Sequence, residues 1–66
     1  MKIRLNGKEQ ELAGTQNLQS IVAFFCRDNR RIIAEVNGEI IKNPFWENTI
    51  LEDGDSVELV QLVGGG

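Results

Sequence analysis

The chain opens on an alternation: Ile3 and Leu5 are interleaved with Lys2 and Arg4, and Asn6-Gly7 follows before Lys8 to Leu12. A period of two marks a half-buried strand. Asn-Gly supplies the positive φ that both central positions of a type I′ turn require, so the segment predicts a β-hairpin. Gly14 ends its second strand. The period then changes. Leu18, Ile21, Val22 and Phe25 fall at i, i+3, i+4 and i+7, one apolar stripe of a helix. Asn17 is its natural N-cap, with Thr15 as competitor, and the helix is expected to end near Arg27 to Asn29.

Ile32 to Val36, rich in β-branched residues, reads as a third strand that Asn37-Gly38 turns into Glu39-Ile40-Ile41. The stretch from Asn43 to Asn48 is too short and Pro-led for a full helix. A single helical turn with Pro44 at its first position fits, burying Phe45 or Trp46. Ile50-Leu51 is a short apolar segment, Asp53-Gly54-Asp55 a tight turn, and Ser56 to about Val63 the last strand. One helix covers one face of a sheet, and first and last strands can lie parallel with the helix in the crossover. The expected class is α+β: a ubiquitin-like β-grasp roll with a mixed four- to five-stranded sheet and one main helix. Residues 1–63 form that domain and residues 64–66 a flexible glycine tail.

Size and charge narrow the function. Sixty-six residues allow one domain with a modest core, typically a marginal one. Seven Lys and Arg against ten Asp and Glu give a net charge of -3, which argues against nucleic acid or an anionic membrane as main partner. Histidine is absent and Cys26 is the single cysteine, so one chain cannot build a zinc site or a disulfide framework. No apolar run approaches a membrane span and no signal-peptide pattern opens the chain. The lone thiol fits a reducing cytoplasm.

Catalytic sets are missing. The carboxylates are dispersed, and neither a P-loop nor G-x-G-x-x-G occurs. Asp53 and Asp55 read as turn residues, because a hard-cation loop needs several more oxygens. Cys26, late in the helix, reads as structural, since a helix C-terminus disfavours a thiolate. Arg27, Arg30 and Arg31 could be a phosphate site, but Asp28 sits among them and helix-end charge accounts for them.

The end of the chain is different. Gly64-Gly65-Gly66 follows a strand directly, with no linker residues to suggest an expression scar. Glycine is costly to order, so such an end needs a reason. Without a Cβ, the Gly66 carboxylate is the least hindered acyl group a protein can present, and Gly64 and Gly65 let the backbone lie extended in a narrow channel. Ionised at pH 7, that carboxylate must be activated, most simply as an acyl-adenylate. No cofactor is expected on this chain, so ATP and Mg²⁺ belong to an activating partner. The adenylate can then yield a thiocarboxylate or a thioester.

Alternation in the last strand places Glu58, Val60 and Leu62 opposite Val57 and Leu59. If Val57 and Leu59 face the helix, the other three form a docking patch beside the tail. After Lys42 no basic residue occurs, while Glu47, Glu52, Asp53, Asp55 and Glu58 are acidic, so the tail end is expected to be negative and its partners basic.

Over essentially its whole length the chain resembles the ThiS sulfur carriers of bacterial thiamine biosynthesis. The resemblance rests on the Asn6-Gly7 hairpin, the Asn17-capped helix and Glu35-Val36-Asn37-Gly38-Glu39-Ile40-Ile41 with Trp46 after it. Asp53-Gly54-Asp55 and the Val63-Gly64-Gly65-Gly66 end complete it. The terminal Gly-Gly is weakly specific, being shared with ubiquitin-like modifiers and the molybdopterin carrier MoaD. Trp46, Asp-Gly-Asp and the length are more specific. The resemblance implies adenylation of Gly66 by a ThiF-type enzyme, sulfur mobilised by a cysteine desulfurase, and delivery to a ThiG-type thiazole synthase. Gly64 stands where the family often has alanine, and Pro44 is displaced from the usual proline position, which touches only the local turn. Two alternatives stay open beside it: another sulfur carrier such as the molybdopterin type, or a protein modifier conjugated through Gly66. A plain binding module with an incidental tail is a third.

Overall fold

The computed structural model describes residues 1–25 and 31–62. Its elements are β1 (Lys2–Leu5), β2 (Lys8–Glu11), α1 (Leu18–Phe25), β3 (Ile32–Val36), β4 (Glu39–Ile41), a 3₁₀ turn (Asn43–Phe45) and β5 (Ser56–Gln61). The five strands form one mixed sheet in the order β2-β1-β5-β3-β4, and α1 packs on one face. β5 runs parallel to β1 and antiparallel to β3, so the last strand is also the central one. This is the β-grasp roll.

Both hairpins close through Asn-Gly with positive φ at each central residue, 51° and 82° for Asn6 and Gly7, 53° and 84° for Asn37 and Gly38. The two asparagines do more than turn the chain. The Asn6 side-chain oxygen accepts the Leu59 N–H at 2.7 Å, and that of Asn37 accepts the Ser56 N–H at 2.9 Å. Each hairpin thus hydrogen-bonds β5 through its own turn residue, from opposite sides.

Asn17 caps α1: its Oδ1 accepts the Ser20 N–H at 2.8 Å. The other amides of the first turn find partners in the 46–49 segment and in Asn17 itself. Leu18 N–H donates to Thr49 O, Gln19 N–H to Trp46 O and Ile21 N–H to Asn17 O. No donor at this helix end is left orphaned.

The core comprises Ile3, Leu18, Ile21, Val22, Ala34, Trp46, Leu51, Val57 and Leu59. Of the pair expected at the Pro44 turn, Trp46 is buried and Phe45 exposed. Trp46 donates its indole N–H to Ile41 O at 2.7 Å, which satisfies the one polar atom that its burial takes from water. Phe25, the last residue of the predicted stripe, is exposed rather than buried. The last strand ends at Gln61 rather than near Val63, with Leu62 N–H still donating to Arg31 O at 2.8 Å. The predicted helix end at 27–29, Cys26, Arg27, Arg30 and Val63 lie outside the described residues.

Candidate functional site: the open sheet face and the strand that leads to the glycine end

β5 alternates as its sequence requires. Val57 and Leu59 are buried under α1, while Glu58, Val60 and Leu62 are exposed on the opposite, open face. Cross-strand register adds residues to this face. Val60 stands opposite Ile33 of β3, Glu58 opposite Glu35, and Glu35 opposite Ile40 of β4. Ile33, Ile40, Val60 and Leu62 are therefore exposed apolar side chains on one surface, and Ile40 is 63% accessible. A cluster of branched side chains facing water on adjoining strands is the kind of surface that partners cover.

The Glu35–Glu58 pair is the electrostatic signature of the face. Like charges directly opposite in a ladder are destabilising, so the arrangement works against the isolated fold. Sequence reading found Glu58, Val60 and Leu62 from alternation alone. It missed Ile33, Glu35 and Ile40, which the β3–β5 and β3–β4 registers bring beside them. Ile33 was legible as an off-phase apolar residue in Ile32-Ile33-Ala34, but nothing local fixes which strand it meets.

The expected acidic tail end is corrected. Glu52, Asp53 and Asp55 precede β5, at the end of the strand away from Leu62. Six strand residues at about 3.3 Å each separate the two ends by roughly 20 Å. Near Leu62 the neighbour is Arg31. Beside Val60 and Leu62 the negative charge comes instead from Glu35 and Glu58. The turn carboxylates are occupied structurally. Asp53 Oδ1 accepts the Lys2 N–H at 2.7 Å, Asp55 Oδ2 the Glu52 N–H at 2.8 Å, and Asp55 Oδ1 the Asn37 side-chain N–H at 3.0 Å. Among the described residues no cluster of three or more acidic, Cys or His side chains is placed to hold a metal, and no helix is long and apolar enough to cross a membrane. Gly64, Gly65 and Gly66 lie outside the described residues. From Leu62, four further residues reach at most about 14 Å.

The comparisons with known proteins agree with this geometry. The model of the ThiS family matches residues 3–66. The sulfur carrier protein ThiS of Bacillus subtilis is 35% identical over 65 residues, covering 97% of this chain and 98% of its own. A thiazole synthase of Paramagnetospirillum magneticum is 29% identical over all 66 residues, which span only 20% of that longer protein. The crystal structure of a thiamine biosynthesis protein (ThiS) from Geobacter metallireducens superposes with a TM-score of 0.84 at 29% identity, each chain fully covered. With a family model matched almost end to end and a ThiS structure of the same fold covering the whole chain, this protein belongs to the ThiS family.

Proposed function

We propose that the chain is a sulfur carrier for thiamine biosynthesis, a protein cosubstrate whose reactive group is the Gly66 carboxylate. The observation that carries the reading is the end-to-end match to a sulfur carrier, on a fold whose central strand is followed in the sequence, after Leu62 and Val63, by Gly64-Gly65-Gly66. A carboxylate oxygen of Gly66 attacks the α-phosphorus of ATP, releasing pyrophosphate and leaving an acyl-adenylate. ATP and Mg²⁺ are held by a ThiF-type activating enzyme. A persulfide charged by a cysteine desulfurase route then attacks the acyl carbon, displacing AMP and forming an acyl disulfide. A thiol that attacks the outer sulfur of that bond is left in a disulfide and releases the thiocarboxylate. Its sulfur passes to a ThiG-type thiazole synthase. The match to one fifth of a thiazole synthase supports that partner, since there a carrier-like segment shares a chain with the acceptor. Incubation with ATP, Mg²⁺, activating enzyme and a sulfur source is expected to shift the intact mass by one oxygen-to-sulfur replacement. Lysine-linked ladders in lysate would instead identify a protein modifier.

The open face is the surface by which the activating enzyme grips the carrier. Val60 and Leu62 are each about half-exposed, so replacing both with Asp leaves the core untouched. The double variant is expected to lower the second-order rate of adenylation at least about tenfold, from lost apolar burial and two added charges. Its circular dichroism should stay that of the parent. Unchanged activation kinetics would remove this surface from the reading.

Glu35 and Glu58 predict a basic partner surface. Raising ionic strength from about 0.05 to 0.5 M is expected to slow association several-fold. In Glu35→Gln/Glu58→Gln that dependence should flatten, which stopped-flow association rates would read directly.

A further inference from the structure

β2 has a neighbour on one side only. Its ladder with β1 is phased by the Met1–Leu12 pair, which exchanges both backbone bonds at 2.8 and 2.7 Å. Bonded pairs alternate along an antiparallel ladder, so Ile3–Gln10 and Leu5–Lys8 also point inward. The N–H and C=O groups of Glu9 and Glu11 therefore point outward, off the edge of the sheet. Beside this edge, between β1, β2 and α1, lies a half-open cleft of about 290 Å³ lined among others by Leu5, Gln10, Leu12, Ile21 and Phe24. It exists because one helix about 10 Å across cannot cover five strands spaced 4.8 Å apart. The volume is at the floor of the small-molecule range, sized for a side chain rather than a cofactor. Phe24, 85% accessible, stands at its rim.

We infer that the outer edge of β2 is a second docking site, and that its occupant is an extended partner segment in which basic and apolar residues alternate. The inner neighbour shows what β2 matches. β1 is Lys-Ile-Arg-Leu, with Lys2 opposite Glu11, Arg4 opposite Glu9, and Ile3 buried on the helix side. A strand added outside meets the same two carboxylates on one face and the cleft on the other. Among the described residues Glu9 pairs with Lys2 at 3.5 Å, both exposed, and Glu11, itself exposed, pairs at 3.3 Å with the part-buried N-terminal ammonium; pairs with an exposed carboxylate are weak and exchangeable. A second copy of this chain is the wrong occupant. Two-fold pairing of β2 edges sets residues of equal parity opposite each other, bringing Glu9 onto Glu11 or Glu9 onto Glu9. The edge is also set apart from the Val60 and Leu62 patch, because β1 lies between β2 and β5. A segment bound there holds the carrier in an assembly while its tail is being processed.

The test uses the full chain, isotope-labelled, and an acetylated, amidated peptide Val-Lys-Ile-Arg-Leu-Lys. The expected result is chemical-shift change centred on Glu9 to Leu12 and Phe24, with slowed amide exchange at Glu9 and Glu11. Glu9→Lys/Glu11→Lys should weaken binding about tenfold or more. Phe24→Ala, which removes an exposed ring and spares the core, should weaken it several-fold. Val60→Asp should leave it unchanged. Equal binding of a peptide of the same composition with its basic residues grouped at one end would overturn the proposal. So would unaltered exchange at Glu9 and Glu11, or shifts centred on Ile33 and Val60.

Discussion

Deleting Gly66 is expected to abolish activation, although the shortened chain still ends in glycine and still carries a free carboxylate. The reason is reach. The fold anchors the chain at Leu62, whose N–H is held by Arg31 O. With the open face docked, the distance from that anchor to the carboxylate is fixed by the number of residues after it. Losing one residue draws the carboxylate back by about 3.5 Å. A 1 Å misplacement of a reacting group can cost about a hundredfold, so the loss should exceed that. Appending one residue after Gly66 should fail for a different reason: the Gly66 carboxyl becomes an amide. Gly66→Ala keeps the length and adds a Cβ, and should give an intermediate rate. ATP-dependent pyrophosphate release reads all three. Affinity for the activating enzyme should be nearly unchanged in each, which separates a chemical defect from a docking defect. A deletion variant that forms the thiocarboxylate at the parental rate would sink the assignment of Gly66.

Trp46→Ala should leave the protein largely unfolded at 25 °C. Trp46 is 1% exposed and the largest fully buried side chain. Truncating a buried Trp to Ala typically costs about 3–5 kcal/mol. Ile41 C=O also loses its 2.7 Å donor. A domain of 66 residues has only about 3–10 kcal/mol in total, so the loss takes most or all of it. Trp46→Phe separates the two contributions, keeping much of the ring volume while leaving the carbonyl without its partner, at about 1–3 kcal/mol. Urea melts followed by far-UV circular dichroism are the measurement, because the single tryptophan is the residue being removed. A melting midpoint of Trp46→Ala within error of the parent would contradict this account of the core.

What could be read from the sequence was local. Asn6-Gly7 and Asn37-Gly38 announced both hairpins, since a positive φ at two successive positions leaves few residue choices. Asn17 announced the helix start, and Pro44 the turn that buries Trp46. Alternation in β5 separated Glu58, Val60 and Leu62 from the core without any knowledge of what lay beside them. The misses are non-local. Charge counted along the chain put the acidic residues at the tail, whereas β5 carries the chain away from Glu52, Asp53 and Asp55. Ile33 and Glu35 joined the candidate site through pairing with β5 residues more than twenty positions away, and Ile40 came with them as the hairpin partner of Glu35. The second role of Asn6 and Asn37, accepting N–H groups of β5, was hidden for the same reason. A turn residue looks complete in its own hairpin until the strand that uses its side chain arrives.

The parallel placement of β1 beside β5 has a mechanical consequence. In the proposed cycle partner enzymes would draw on the chain at the far end of β5, and β1 begins at the opposite end of the same ladder. A pull along β5 against β1 therefore loads their hydrogen bonds in shear, all sharing the force, rather than unzipping them one at a time. The Asn6 and Asn37 side chains add rivets on either side of the loaded strand. Under such a load the body of the fold would keep its shape.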